Sequence, residues 1–342
     1  MSSFTPTIHP WNQEIWQNLT LEPERANHAL LFNGDRGLGK QDLAFALAHF
    51  VLTDTHSQSE SLFAAGSHPD LHVVMPEIAV QEDLLGQFAK RYLETHSGKP
   101  KRTISIEQIR RLTNSMSTFP HIGSHRVVLI MNAETMNRNA SNALLKSLEE
   151  PPANTLFVVV SDEVSKLVST VRSRCSLVNF RPPDRASARA WLEHQQRIPV
   201  SDLDTYLSMS NNHPLQAIEL FEGGYLESLK AVFSDVNSLW MRRAEVTTVA
   251  KSWQQLGALK VLEILQKLAT DLVRTRLSDD PGTLFFPVQQ SWVAASSAKL
   301  SKTNLLELID ELNYAKRMLA TTVDELLVLE TLSNKFRELP AL

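Results

Sequence analysis

The sequence predicts an α/β domain with a phosphate-cradling loop and a parallel sheet, then a small helical lid domain and a C-terminal all-helical domain. Three observations carry that expectation. Short apolar runs alternate with amphipathic segments through residue 181, as strands joined by crossover helices do. A glycine-rich turn, Gly34-Asp35-Arg36-Gly37-Leu38-Gly39-Lys40, separates the first such run from the first such segment. From Pro182-Pro183 onward the strand-like runs stop and helical spacing takes over. The expected boundaries are 1–181, 182–226 and 227–342.

Residues 28–32 form a short apolar run suited to a buried strand. Residues 42–52 follow with Leu43, Ala44, Leu47, Phe50 and Val51 at helical spacing. Strand, glycine turn and helix is the setting of a P-loop, with spacing G-x-x-x-x-G-K-[ST]. Gly34, Gly39 and Lys40 fall in place. Gln41 stands where a Ser or Thr hydroxyl would ligate Mg²⁺, and an amide serves a tight octahedral ion poorly. The cradle of Gly34, Gly37, Gly39 and Lys40 is therefore expected to bind ATP, ADP or phosphate weakly or not at all. The bland alternative is a glycine-rich turn with a surface lysine.

Further strands are expected over 71–75, 126–131, 156–160 and 177–180, and helices over 106–116, 140–149 and 164–171. Residues 52–67 and 94–102 read as loops, the second carrying Lys99, Lys101 and Arg102 on a solvated turn. Asp184 caps a helix over 185–195, and short helices follow over 201–210 and 214–221. Beyond Gly223-Gly224 the pattern is helical, with one Pro- and Gly-marked interruption over 278–287. Leucine stripes at 256–268, 305–319 and 326–332 read as core faces.

At 342 residues the chain has room for two or three domains. Apolar content of 43% and charged content of 21% suit a globular protein and argue against global disorder. A net charge of -4 excludes a global basic field, so nucleic acid would be met through local patches or partner subunits. No apolar stretch reaches the ~20 residues of a membrane span. The polar first ten residues lack a secretory pattern, and a cytoplasmic location is expected. The single cysteine, Cys175, excludes internal disulfides and any multi-cysteine zinc site.

Met131-Asn132 ends an apolar run where an active P-loop ATPase would place Asp-Glu, to hold Mg²⁺ and polarise the attacking water. Glu134 lies two residues past the missing Glu. Next come Asn142-Ala143-Leu144-Leu145-Lys146-Ser147-Leu148-Glu149-Glu150-Pro151-Pro152, and then Thr170 and Ser173-Arg174-Cys175. This block, with Gly66-Ser67-His68-Pro69-Asp70 before the second strand, closely resembles the bacterial replication clamp-loader subunits, a branch of the AAA+ ATPases.

The resemblance spans most of residues 28–181 and implies a C-terminal collar that holds subunits in a ring. Within the family, Lys40-Gln41, Met131-Asn132, and Leu215 in place of a phosphate-sensing Arg resemble the non-motor type and not the gamma/tau motor. The implied partners are gamma/tau and delta subunits, with sliding clamp and primed DNA met through the hetero-oligomer, and no membrane. The implied role of Arg174 is an arginine finger in a neighbour's ATP site. Its alternative is an internal salt bridge at a strand edge. Relatives carry a four-cysteine zinc module that this chain lacks between its first helix and second strand, so no zinc is expected. His56 and His68 read as ordinary loop histidines, and Cys175 as a packed small residue. No cofactor is required, and the isolated chain is expected to have no activity of its own. An active ATPase of the gamma/tau type and a nucleotide-regulated adaptor unrelated to replication are the competing readings.

Overall fold

The computed structural model describes residues 6–21, 27–53, 57–82, 85–93, 99–116, 119–277, 284–319, 321 and 323–339. Two compact units divide at Pro182/Pro183. The first unit holds strands β1 (Ala29–Asn33), β2 (Leu71–Val74), β3 (Arg126–Ile130), β4 (Thr155–Ser161) and β5 (Ser176–Asn179). Its helices are α1 (Gln13–Thr20), α2 (Lys40–Thr53), α3 (Ser57–Ala64), α4 (Glu77–Glu82), α5 (Gly86–Ala89), α6 (Ile106–Ser115), α7 (Arg138–Glu149) and α8 (Ser169–Arg172).

The strands form one parallel sheet in the order β2-β3-β4-β1-β5. Every residue of β2 and β3 is buried, as both-face coverage by helices requires. Alternation along β1 separates two cores. Leu30 and Phe32 pack with Leu43, Ala44 and Leu47 of α2 on one face. Ala29 and Leu31 join Ile109 and Leu112 of α6 and Ala140, Leu144 and Leu148 of α7 on the other. Local chemistry sets the helix starts. Ser105 and Gln108 form a reciprocal capping box at α6, and the Asn137 side chain accepts from the Ala140 N–H at 2.8 Å to begin α7.

Two departures from the sequence reading have physical causes. The 52–67 loop contains α3, whose Phe63 is buried beside Phe88 and His49; that packing outweighs its Ser-rich composition. The helix expected over 164–171 is a single turn, Val164–Lys166, and then α8, because Leu167 and Val168 are extended. His68 is buried, its Nδ1 accepts from the Asp70 N–H at 3.2 Å, and burial lowers its pKa. His56 lies outside the described residues, as do residues 54–55 and 94–98 of the two expected loops and 278–283 of the expected interruption.

The second unit is helical: α9 (Arg185–Gln195), α10 (Leu203–Met209), α11 (Pro214–Glu222), α12 (Tyr225–Trp240), α13 (Val246–Leu256), α14 (Ala258–Leu277), α15 (Gln290–Lys299), α16 (Lys302–Leu319) and α17 (Glu325–Glu338). Asp184 caps α9 as expected, accepting from the Ser187 N–H at 2.9 Å. One apolar core runs from Ala188 through Leu229 and Leu265 to Leu339, on both sides of the Gly223-Gly224 junction. Inside it, buried Asp271 accepts from the Phe285 and Phe286 N–H groups, at 2.9 Å each. Among the described residues no helix is long and apolar enough to cross a membrane.

Candidate functional site

The P-loop follows β1 at the carboxyl end of the sheet, where ligands of open α/β sheets bind. Gly34 fits because a Cβ there would lie 2.8 Å from the Phe180 carbonyl oxygen. Gly39 has φ +76°, and a Cβ on it would run into the His9 ring. The loop is thus packed tightly between β5 and the N-terminal segment. Leu38 O accepts from Trp11 Nε1 at 3.0 Å and Asn12 Nδ2 at 2.8 Å. His9 Nε2 lies 2.8 Å from the Asp42 carboxylate at the start of α2. None of these straps was legible beforehand, because residues 7–12 carry no motif.

Lys40, the first residue of α2, is buried. Its Nζ donates to Asp35 O at 2.7 Å and pairs with Asp162 Oδ1 at 2.7 Å. The surface lysine of the bland alternative is therefore corrected. Sheet register explains the partner. Asn33 of β1 lies beside Ser161 of β4, so the next residue, Asp162, emerges alongside the loop. The Asp162 N–H donates to Glu134 Oε2 at 3.2 Å. Burial raises the Glu134 pKa, and the Asp162 charge adds to the rise. Lys40, Asp162 and Glu134 make a closed polar row.

A magnesium nucleotide does not fit this arrangement. Gln41 supplies no hydroxyl, Met131 is buried and its side chain carries no oxygen, and Asn132 sits in the left-handed region at φ 51°. The lysine that should reach the outer phosphates already holds a carboxylate. Glu134 is brought near the loop, where its Oε2 accepts the Asp162 N–H. Among the described residues, no group of three or more His, Cys, Asp or Glu could hold a metal ion.

Arg174 lies in the turn between α8 and β5, packed against the end of α7. Its Nη2 pairs with Glu149 and its Nη1 donates to Thr170 O at 2.9 Å. The Arg174 side chain is 31% exposed and that of Glu149 48% exposed. In the single chain the internal ion pair is therefore formed, and it lies at the surface. Glu149 was legible as part of the motif block but not as the partner of Arg174. Burial pushes the Cys175 thiol up to about 11, keeping it protonated and unreactive at neutral pH. Leu215 lies in the first turn of α11. Lys99 and Arg102 are exposed, and Lys101 is tied to α4 by its N–H to Glu77 Oε2 at 2.9 Å.

A parallel-sheet P-loop unit that lacks the metal hydroxyl and both catalytic carboxylates is an AAA+-type unit with a degenerate nucleotide site. The sequence model of the family described as DNA polymerase III, delta subunit, matches residues 11–184, and the chain belongs to that family. Its relatives are delta′ subunits. That of Pseudomonas aeruginosa is 28% identical over 97% of this chain and 98% of its own length. That of Escherichia coli is 30% identical over 63% of this chain and 61% of its own length. Among solved structures, a gamma subunit-related protein of DNA polymerase III from Thermotoga maritima aligns with 95% of this chain and 99% of its own, at 16% identity and a TM-score of 0.46.

Proposed function

We propose that this chain serves the DNA polymerase III clamp loader as its non-motor delta′ subunit. It helps load the sliding clamp onto primed DNA and lends Arg174 to a neighbouring ATPase subunit. The observation that carries the reading is a pairing of opposites. The chain's own P-loop lysine is buried against its own carboxylate, while Arg174 stands at the surface in a contact of small worth. An exposed ion pair contributes about 0–1 kcal/mol, so Arg174 can exchange Glu149 for a phosphate. Guanidinium is planar, permanently charged and able to bond two phosphate oxygens together, which suits it to charge developing on a transferred phosphoryl group.

The partners are the gamma/tau and delta subunits, met as a hetero-oligomer in the cytoplasm. Clamp and primed DNA are reached through that complex. The chain needs no nucleotide or zinc of its own. The purified chain, assayed alone, should turn over ATP only at background. Mixed with gamma/tau and delta subunits it should co-elute in size exclusion and support clamp-stimulated turnover. Mg²⁺-dependent turnover by the isolated chain, abolished by Lys40→Ala, would instead establish a gamma/tau-type motor.

A further inference from the structure

We infer that Asp162 keeps phosphates out of this P-loop by acting as a built-in counter-ion for Lys40. The inference rests on the non-motor reading above and supplies its physical cause beyond the missing metal ligands. Loss of metal ligands alone does not close a P-loop to anions. Backbone N–H groups, a helix N-terminus and a lysine suffice to hold a phosphate. Here the glycine geometry survives, with φ of 82° at Gly37 and 76° at Gly39, and α2 begins at Lys40. What differs is the destination of the lysine. Its Nζ is 2.7 Å from Asp162 Oδ1 and 2.7 Å from Asp35 O, and its side chain is only 3% exposed.

A phosphate arriving at the loop meets two obstacles. To reach Nζ it must displace a carboxylate that already makes a charge-assisted hydrogen bond. It must then sit beside that displaced carboxylate and beside Glu134, which lies against Asp162. Like charges in so confined a space repel strongly. The aspartate is fixed where it acts, because the β1–β4 register brings it out next to the loop and Glu134 holds its backbone N–H. Asp162 therefore stands to this loop as a phosphate oxygen would, and the ligands excluded are di- and triphosphates.

The test is a gain of binding. ADP and inorganic pyrophosphate are titrated by calorimetry, in EDTA, into the full-length chain and into Asp162→Asn, with circular dichroism confirming the fold. The wild-type chain should show no saturable heat. The variant should bind both probes saturably, at least about tenfold more tightly than the weakest binding the titration detects, since a lysine hydrogen bond to an anion is released for use. Lys40→Met in the same background should abolish that gain. Asp162→Ala is the second variant if the amide disturbs the fold. A thermal-melt cycle reads the pair independently of any ligand: Asp162→Asn should lower Tm more than the Lys40→Met, Asp162→Asn double variant, because it leaves the buried Lys40 ammonium without its carboxylate. A folded Asp162→Asn chain that stays as inert as wild type would overturn the counter-ion role and leave the non-motor reading standing. Tight, Mg²⁺-dependent ATP binding by the wild-type chain would overturn both.

Discussion

Asp271 shows how one buried charge can serve a fold and make its stability depend on pH. Its two oxygens accept from the Phe285 and Phe286 N–H groups and anchor that segment to α14. Burial raises its pKa to about 6, and the two backbone hydrogen bonds only partly offset that rise. The folded state therefore takes up a proton near pH 6, whereas the unfolded chain waits until about pH 3.9. Between those values the folded state binds more protons. This term is fully stabilising below the unfolded pKa and is lost as pH rises through the folded one. Urea midpoints measured from pH 4 to pH 7 should show this downward component in the wild-type chain. Asp271→Asn, which cannot titrate, should lack it. Equal slopes in the two proteins would place the Asp271 pKa near its ordinary value.

At the scale of elements, the N-terminal segment and the P-loop behave as one piece, joined by the Trp11, Asn12 and His9 contacts. Gly39→Ala tests that union, since it forces a side chain into left-handed backbone and into the His9 ring. The backbone conformation alone costs about 1–3 kcal/mol. The variant should melt earlier and expose the loop amides to faster hydrogen exchange; unchanged exchange would separate the segment from the loop. The strands and α2, α6 and α7 were legible because burial on one or both faces writes itself as apolar runs or helical spacing. Residues 7–12 were not, because their polar contacts are with the glycine loop, and α1, though its Ile15, Trp16 and Leu19 pack against the α2 face of the core, is too short for its spacing to stand out. The 164–171 stretch misled because Val164, Leu167, Val168 and Val171 have helical spacing while Leu167 and Val168 are extended in the fold. In the candidate site, Lys40 and Arg174 were legible from motifs. Asp162 and Glu149 became their partners only through sheet register and packing, which no local pattern encodes.

For the whole molecule, the question is where Arg174 acts. In its own loop Lys40 is bonded to Asp162 and Gln41 brings no hydroxyl for a metal. On the proposed reading Arg174 acts on a neighbour's nucleotide, and its effect should appear only once the subunits have assembled. Arginine fingers supplied in this way are worth about 10³–10⁵ in rate in the best-studied cases. A reconstituted loader with Arg174→Ala should assemble normally by size exclusion, because the lost Glu149 pair is a partly exposed one worth about 0–1 kcal/mol. Its DNA- and clamp-stimulated ATP turnover should fall by about tenfold or more, the remaining sites of the ring limiting the loss. Arg174→Lys should not restore it, since an ammonium cannot make the two-pronged contact. The isolated variant should match the isolated wild-type chain in turnover and melting. If the assembled complex carrying Arg174→Ala turns over ATP at the full rate, the contact with Glu149 is the whole role of this arginine. The chain would then contribute to the loader through its assembly alone.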